Sequence, residues 1–264
     1  MKAALRPPRS FWLPKAGNAP EEYEDASRVV YPQRMGASGG RTARVAVSDG
    51  ASESAFAREW ANVLTEAFVA RPPDARGFPE DSLDAWLAPA QEEWRALVPW
   101  DRIPWHGEAK ARAGAFATLL GLTVGAVRGD SPFLSWRAVA VGDSCLFVVC
   151  GDRLRLSFPL ENAAQFDNSP ALVGSNPDHT RELREDVHRI EGECAAGDSF
   201  ILASDALACW FLGRNARGEQ PWDELLALDA SGWAAWVEEQ RRSGLMRNDD
   251  TTVVIISVVQ NRVR

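Results

Sequence analysis

Residues 115–158 contain three apolar runs rich in β-branched residues: AFATLLGLTV, WRAVAVGDS and CLFVVCGDRLRLSF. Turn-forming residues separate neighbouring runs, at residues 129–132 (GDSP) and again at Gly151 and Asp152. Short strands that are joined by tight turns pair as antiparallel neighbours. The pattern therefore predicts an antiparallel β-sheet in the middle of the chain.

Stretches with helical spacing lie on both sides of these runs. From Glu53 onward, apolar residues recur at positions 56, 60, 64 and 68, and Ser52 offers an N-cap oxygen. Residues 81–98 carry a second apolar stripe, whose tryptophans we expect to pack against a sheet. Three shorter helical patterns follow at residues 206–212, 222–228 and 233–242.

One further strand pattern ends in an Asp-Gly pair, in VAVSDGASES at residues 45–54. Val45 and Val47 alternate as in a strand, so Asp49 is predicted to lie at a strand end, with Gly50 allowing the turn into the next helix. A carboxylate beside an accessible glycine carbonyl is half of a site for a hard cation. Asp-Gly is also a common turn, and the pair alone does not choose between these interpretations.

Other acidic residues recur at predicted strand edges. Asp143 follows the AVG run, Asp205 ends SFILASD, and Asp249 precedes the final strand TTVVIISVV. Glu24 and Asp25 add two carboxylates near the start. Each aspartate alone fits a turn, but carboxylates brought together repel one another unless cations lie between them. Oxygen ligands without Cys or His clusters favour Mg²⁺ or Mn²⁺ over zinc.

The remaining connections carry weaker signals. Short strands are predicted at residues 10–13, 28–31 and 187–193. The Gly-rich segment MGASGGRT at residues 35–42 lacks the GK[ST] ending of a phosphate loop and is predicted to be a flexible turn. Residues 160–186 are long, polar and weakly periodic, which predicts an excursion over the surface that can border a site.

Composition limits the classes of protein. The 264 residues are 45% hydrophobic and 25% charged, as expected of a single globular domain covering residues 1–264. A formal net charge of -8 argues against a nucleic-acid partner, because phosphate neutralisation needs clustered Lys and Arg. The four cysteines form no CxxC pair and are predicted to be free thiols. Without an apolar leader or a membrane-length run, we expect a cytoplasmic protein with no membrane partner. Single-domain length and the lack of an obvious oligomerisation helix favour a monomer.

The motifs, taken in order, resemble those of the metal-dependent protein phosphatases, also called protein phosphatase 2C. EDA at residues 24–26 is similar to the N-terminal Glu-Asp pair of that family, and VAVSDGASE to its first Asp-Gly motif. AVGDS is similar to its Gly-Asp-Ser hairpin, SFILASD to its late Ser-Asp motif, and DDTTVVII to its closing strand. The resemblance implies an α+β fold, a four-layer α-β-β-α sandwich of two antiparallel sheets flanked by helices, with metals held at one end.

The resemblance also implies two Mn²⁺ or Mg²⁺ ions and assigns ligands by position. Asp49 would bridge both metals, the Gly50 carbonyl would bind the second, and Asp205 and Asp249 would hold the first. The implied activity is that of a serine/threonine protein phosphatase acting on a phosphoprotein. In this chemistry a metal-bridging hydroxide attacks phosphoserine or phosphothreonine, and Asp49, Asp205 and Asp249 are the catalytic residues.

Three more carboxylates receive weaker roles from the resemblance. Glu24 and Asp25 would act mainly through metal-bound waters. Asp143, together with Asp205, would match a possible third metal position.

The sequence departs from the family pattern at two positions. Pro20 stands where family members commonly carry an arginine that grips the substrate phosphate, and Lys15 is the candidate replacement, offering a point charge instead of a bidentate clamp. Lys15 fits a solvated lysine equally well. Ala206 stands where the family usually has glycine after the late aspartate. These changes bear on catalytic efficiency and substrate choice.

Three functions are consistent with these observations. The carboxylate set favours an active phosphatase. Pro20 and Ala206 motivate the alternative, a catalytically impaired phosphatase-like binding or regulatory module. A two-metal nuclease would use similar carboxylate chemistry, but it fits poorly with the acidic charge and with the lack of a basic groove signal.

Overall fold

The computed structural model describes residues 2–31, 42–73, 83–126, 131–166 and 169–261. The Gly-rich turn predicted at residues 35–42 lies outside this part of the chain except for Thr42, as do the first half of the turn at residues 129–132 and the first two residues of the helix predicted at 81–98.

Thirteen strands lie in the described residues, and every pairing between them is antiparallel. Their bounds are β1 Lys2–Leu5, β2 Arg9–Leu13, β3 Ala26–Val30, β4 Thr42–Ser48, β5 Phe116–Ala117, β6 Leu119–Ala126, β7 Leu134–Val141, β8 Cys145–Cys150, β9 Arg153–Phe158, β10 Val173–Gly174, β11 His188–Cys194, β12 Asp198–Ala203 and β13 Thr251–Asn261.

The strands form two large sheets and one short pair. The first sheet has the order β1-β13-β12-β8-β9, with β2 also pairing with β13, and the second has the order β11-β7-β6-β4-β3. The short pair joins β10 to β5. Six α-helices accompany them in the described residues: α1 Ala57–Ala70, α2 Leu83–Leu97, α3 Trp105–Ala113, α4 Asp205–Ala216, α5 Pro221–Ala227 and α6 Ala230–Arg242.

Three apolar layers hold the elements together. The middle layer packs one sheet on the other, with Val45 and Val47 of β4 facing residues such as Leu202 of β12. The outer layers pack α1 and α2 on the second sheet and α4 to α6 on the first. This arrangement confirms the predicted α+β class and the four-layer α-β-β-α sandwich.

Helix α1 contacts its sheet closely because β6 has a glycine beneath it. A Cβ atom at Gly121 would lie 2.1 Å from Cε2 of Phe68. The missing side chain therefore makes room for the Phe68 ring, which is buried together with Trp60 of the same helix face.

The predicted start of α1 is wrong. The helix begins at Ala57, and its N-cap residue is Phe56, which has a left-handed φ of 61° and makes no capping side-chain bond. The Ser52 hydroxyl donates instead to a carboxylate oxygen of Glu24. Because a serine before an apolar stripe is a local signal, the sequence could not reveal this distant acceptor.

Residues 160–186 are not a simple surface excursion. Val173 and Leu183 are buried in the apolar layer beneath α1 and α2, and Trp60 Nε1 donates to the Val173 carbonyl at 2.7 Å. Isolated apolar residues in a polar stretch have no periodicity, so their burial could not be predicted from the local pattern.

Candidate metal centre

Asp49 lies between the end of β4 and helix α1, and Thr118 fixes its backbone on both sides. The Asp49 amide donates to Thr118 Oγ1 at 2.9 Å, and the Thr118 amide donates to the Asp49 carbonyl at 2.8 Å. Thr118 Oγ1 also hydrogen-bonds the Ser144 hydroxyl at 2.8 Å. One buried threonine therefore connects the Asp49 turn to the Gly142–Ser144 hairpin that carries Asp143.

Two glycines allow these turns to approach other parts of the backbone. A Cβ at Gly50 would lie 2.7 Å from the Glu24 carbonyl oxygen. Gly142 has a φ of +95°, and a Cβ there would lie 2.7 Å from Cγ2 of Thr118. Both positions therefore require glycine, and the first brings the backbone of the Glu24–Asp25 pair next to Gly50.

The predicted carboxylates come together around Asp49. Burial raises the pKa of Asp49 well above its usual range, and the nearby charges of Asp25, Asp205, Asp143 and Asp249 raise it further. Four aspartates from separate elements therefore influence a fifth, Asp49, which is half-buried. This convergence is the arrangement that the sequence predicted from strand edges, while the role of each residue as a ligand stays a prediction.

Asp25 is buried, and one of its carboxylate oxygens lacks a hydrogen-bond partner. Its Oδ2 accepts from Thr252 Oγ1 at 2.5 Å, whereas its Oδ1 is buried without a hydrogen-bond partner. Burial, aided by the charge of Asp250, raises the pKa of Asp25 to about 8, against the opposing effect of the Thr252 hydroxyl. An unpartnered buried carboxylate oxygen is unfavourable unless a proton or a cation compensates it.

Asp205 begins helix α4 and contacts Asp49 directly. Its Oδ1 accepts from the Ala206 amide at 2.5 Å, and its carboxyl shares a hydrogen bond with that of Asp49. Burial and the charge of Asp249 raise the pKa of Asp205, while the hydrogen bonds with the Ala206 amide and Asp49 oppose the rise, as does the more weakly acting guanidinium of Arg247. The Ala206 methyl is buried in the layer between α4 and the first sheet, so this departure from glycine is accommodated by packing.

Asp250, which the sequence did not single out, fastens the segment of residues 14–24 to the site. Its Oδ1 accepts from the Lys15 amide at 2.8 Å, and its Oδ2 accepts from the Glu24 amide at 2.6 Å. Asn248 adds a bond from the Ala16 amide to its Oδ1 at 2.7 Å. The two stretches are 235 positions apart, so no local sequence signal could have found this contact.

Arg241 of α6 forms hydrogen bonds with both the N-terminal segment and the loop that carries Asp249. Its Nη1 donates to the Pro14 carbonyl at 2.9 Å, and its Nη2 donates to the Asp249 carbonyl at 2.5 Å and to Thr251 Oγ1 at 2.9 Å. The loop that carries Asp249 is therefore held by a guanidinium as well as by the strand that follows it.

The segment that departs from the family pattern lies beside this cluster. Pro20 opens an exposed turn of 3₁₀ helix, Pro20–Glu22. Arg58 Nη1 donates to the Glu21 carbonyl at 2.7 Å, and Lys15 Nζ lies 3.3 Å from Ser52 Oγ. The Ser52 hydroxyl, which also donates to Glu24, therefore links Lys15 to Glu24. Phosphate binding by Lys15 stays a prediction.

The donor set suits a hard divalent cation. The clustered groups are carboxylates, and the buried, unpartnered Asp25 Oδ1 would gain a partner from a bound ion. Within the described ranges, however, no three acidic, His or Cys side chains are already arranged to hold a metal ion. Several carboxylate oxygens are bonded to backbone amides or to each other, so cation binding requires side-chain rotation in this cluster.

Solved structures share this architecture. The catalytic domain of the serine threonine protein phosphatase PstP, in complex with two manganese ions, aligns with a TM-score of 0.58 at 16% identity, over 98% of this chain and 100% of that chain. PppA, a regulatory component of the type VI secretion system in Pseudomonas aeruginosa, aligns with a TM-score of 0.56 at 18% identity, over 96% and 97% of the two chains. A bacterial serine phosphatase aligns with a TM-score of 0.56 at 13% identity, over 97% and 99%.

The chain has the protein phosphatase 2C fold. At these identities the likeness concerns the fold alone. The sequence itself matches no protein-family model and no curated protein. In the protein phosphatase 2C fold of this chain, the carboxylate cluster lies where β4, the β7–β8 hairpin, α4 and β13 meet.

None of the helices in the described ranges combines the length and the apolar character needed to cross a membrane.

Proposed function

We propose that the protein is a Mn²⁺- or Mg²⁺-dependent serine/threonine phosphatase that acts on phosphoproteins. The observation that carries the proposal is the convergence of Asp25, Asp143, Asp205 and Asp249 on the half-buried Asp49, in a fold shared with serine phosphatases. Divalent ions bound there would supply an activated water for in-line attack on phosphorus and would neutralise phosphoryl charge.

The residues of this chain have distinct parts in the proposal. Asp49, the Gly50 carbonyl, Asp205 and Asp249 would hold two ions, and Thr118 and Arg241 fix the backbones of Asp49 and Asp249. Glu24 and Asp25 would complete the shell through water.

Asp143 would belong to a weaker third position beside Asp205. The hairpin that carries it is joined to the Asp49 turn through Thr118 and Ser144. Loss of the Asp143 charge should therefore disturb the central pair less than loss of the Asp49 charge.

The four cysteines are free thiols, which suits a phosphatase of the reducing cytoplasm.

A second candidate is a phosphatase-like module that binds but turns over poorly. Pro20, whose turn is exposed and supplies no guanidinium of its own, is the observation that favours it. Hydrolysis of a phosphopeptide and of a simple aryl phosphate, measured with Mn²⁺ and then with EDTA, separates the two functions. The enzyme is expected to be active with Mn²⁺ and inactive in EDTA, and full activity in EDTA would exclude the metal-dependent mechanism.

Substitution of Asp49 tests the centre directly. Asp49→Asn preserves size but removes the charge that would hold both ions, so turnover should fall by about three orders of magnitude or more and Mn²⁺ affinity should weaken. Asp143→Asn is the matched control and should have a milder effect. Calorimetry with Mn²⁺ and initial rates measure both variants, and circular dichroism checks folding. An Asp49→Asn variant that binds two Mn²⁺ ions and turns over like the parent would refute the assignment.

A further inference from the structure

Arg247 lies on the loop between α6 and β13, two positions before Asp249. The preceding residue, Met246, is buried in the layer beneath α4, and its amide donates to the Gln240 carbonyl at 3.1 Å. The loop is therefore anchored at that point, whereas the Arg247 side chain is exposed. Its Nη2 donates to the Phe166 carbonyl at 3.3 Å.

The surroundings of α4 show on which side of the cluster the Arg247 guanidinium lies. Asp205 and Cys209 are one helical turn apart and share a face of α4. Cys209 Sγ lies 4.0 Å from the Ala163 carbonyl, so this face is directed toward residues 163–166. The Arg247 charge opposes the raised pKa of both Asp205 and Cys209. The Arg247 guanidinium, which is bonded to the Phe166 carbonyl, therefore lies on the side of the cluster formed by this α4 face and residues 163–166.

The other described cations near the cluster are already engaged, and Lys15 Nζ hydrogen-bonds the Ser52 hydroxyl at 3.3 Å. Arg241 uses both terminal nitrogens on Pro14, Asp249 and Thr251. Arg58 donates to the Glu21 carbonyl in the N-terminal segment. Arg247 makes one hydrogen bond and forms no ion pair with any residue that the structure describes. A guanidinium has five N–H donors, so most of those of Arg247 are available to a ligand.

We propose that Arg247 binds the phosphate group of the substrate at the edge of the carboxylate cluster, in place of the arginine that is missing at Pro20. A guanidinium presents two parallel N–H groups that match two oxygens of a phosphate. A fixed positive charge beside several carboxylates also lowers the repulsion that an approaching phosphate dianion would meet. The inference rests on the proposed function, since it deepens the account of the same site.

The test compares Arg247→Ala and Arg247→Lys with Arg242→Ala. Arg242 is an exposed arginine near the same loop that pairs with Glu239, so its loss controls for the removal of one surface charge. Binding of inorganic phosphate to the Mn²⁺-supplemented protein is measured by calorimetry, together with KM and kcat for an aryl phosphate. We expect Arg247→Ala to weaken phosphate binding about tenfold or more, Arg247→Lys to restore part of it, and Arg242→Ala to change little.

Mn²⁺ affinity, measured without phosphate, shows whether Arg247→Ala acts on phosphate binding directly or by changing the binding of the metal ions. It should be unchanged or tighter in Arg247→Ala, because a positive charge is removed beside the carboxylates. Phosphate affinity equal to that of the parent, weaker Mn²⁺ binding in Arg247→Ala, or no phosphate binding by the parent would each overturn the inference. If the parent binds phosphate through Arg247 but hydrolyses no phosphoester, the proposed activity fails and the role of Arg247 stands.

Discussion

Asp25 combines complete burial with an incomplete set of hydrogen bonds. Its Oδ1 has no partner, and Asp250 and Asp205 add negative charge nearby. Desolvation and repulsion both favour the protonated form, and the pKa rises from the usual 3.8 to about 8. In the folded protein the carboxyl therefore holds its proton at pH values where the unfolded chain has lost it.

This difference predicts how the stability of the protein in EDTA depends on pH. Between pH 4 and pH 8 the folded state binds more protons than the unfolded state, so stability should decrease as pH rises through this window. Urea denaturation in EDTA at pH 6 and pH 8 measures the effect. Asp25→Asn, which cannot ionise, should lessen the decrease, whereas an identical pH dependence in this variant would contradict the assignment to Asp25.

Residues of the site differ in how far sequence could reveal them. Asp49, Asp143 and Asp205 follow apolar runs, so the strand pattern alone placed them at sheet edges. Thr118 and Asp250 act through partners 69 and 235 positions away. Such pairings depend on the folded topology, which local periodicity does not encode.

At the level of elements, the loop before β13 and the segment of residues 14–24 behave as one unit. Asp250 accepts two backbone amides from that segment, and it is buried. Glu24 and Asp25 continue from the segment into β3, so the bonds to Asp250 also set where these two carboxylates lie.

Asp250→Ala should therefore weaken both the fold and cation binding. Two hydrogen bonds to a charged acceptor are lost, at a cost of about 3 kcal/mol in the free energy of unfolding, and Mn²⁺ affinity should fall about tenfold or more, as for other supporting residues of metal sites.

Asp229→Ala is the control for Asp250→Ala, because Asp229 also accepts two backbone amides, those of Ser231 and Gly232, but at the start of α6. It should lower stability by about 1 kcal/mol and leave Mn²⁺ affinity unchanged. Equal Mn²⁺ affinities in the two variants would argue against a positioning role for Asp250.

At the level of the whole molecule, the apolar runs of β6, β7 and β8 predicted an antiparallel sheet, and the stripe of α2 predicted a helix packed on a sheet. The arrangement in four layers was predicted only through the resemblance to the phosphatase family. Strand β1 and helix α3 were not predicted. Lys2–Leu5 is short and precedes prolines, and α3 has only Ala111 buried, so neither has a clear apolar pattern.

The fit between layers predicts opposite effects of alanine at two glycines. Gly121→Ala would place a methyl against the Phe68 ring, and overpacking there should lower the free energy of unfolding by about 1–3 kcal/mol. Gly107→Ala, inside α3, meets only an ordinary contact at 3.5 Å from Ile103 and should raise it by up to about 1 kcal/mol. Guanidinium denaturation compares both variants with the parent, and a stabilising Gly121→Ala would show that α1 can shift away from the sheet.

The pairing of β1 and β2 with β13 has a consequence for the timing of folding. These strands lie near opposite ends of the described chain, so their pairing must close a very large loop. Such closure slows folding because chain entropy is lost before the contacts form. During synthesis, Glu24 and Asp25 remain without Asp249 and Asp250 until nearly the whole described chain has been translated. An unfinished chain therefore lacks the complete carboxylate cluster, and the capacity to bind cations should appear together with the final sheet in a refolding experiment.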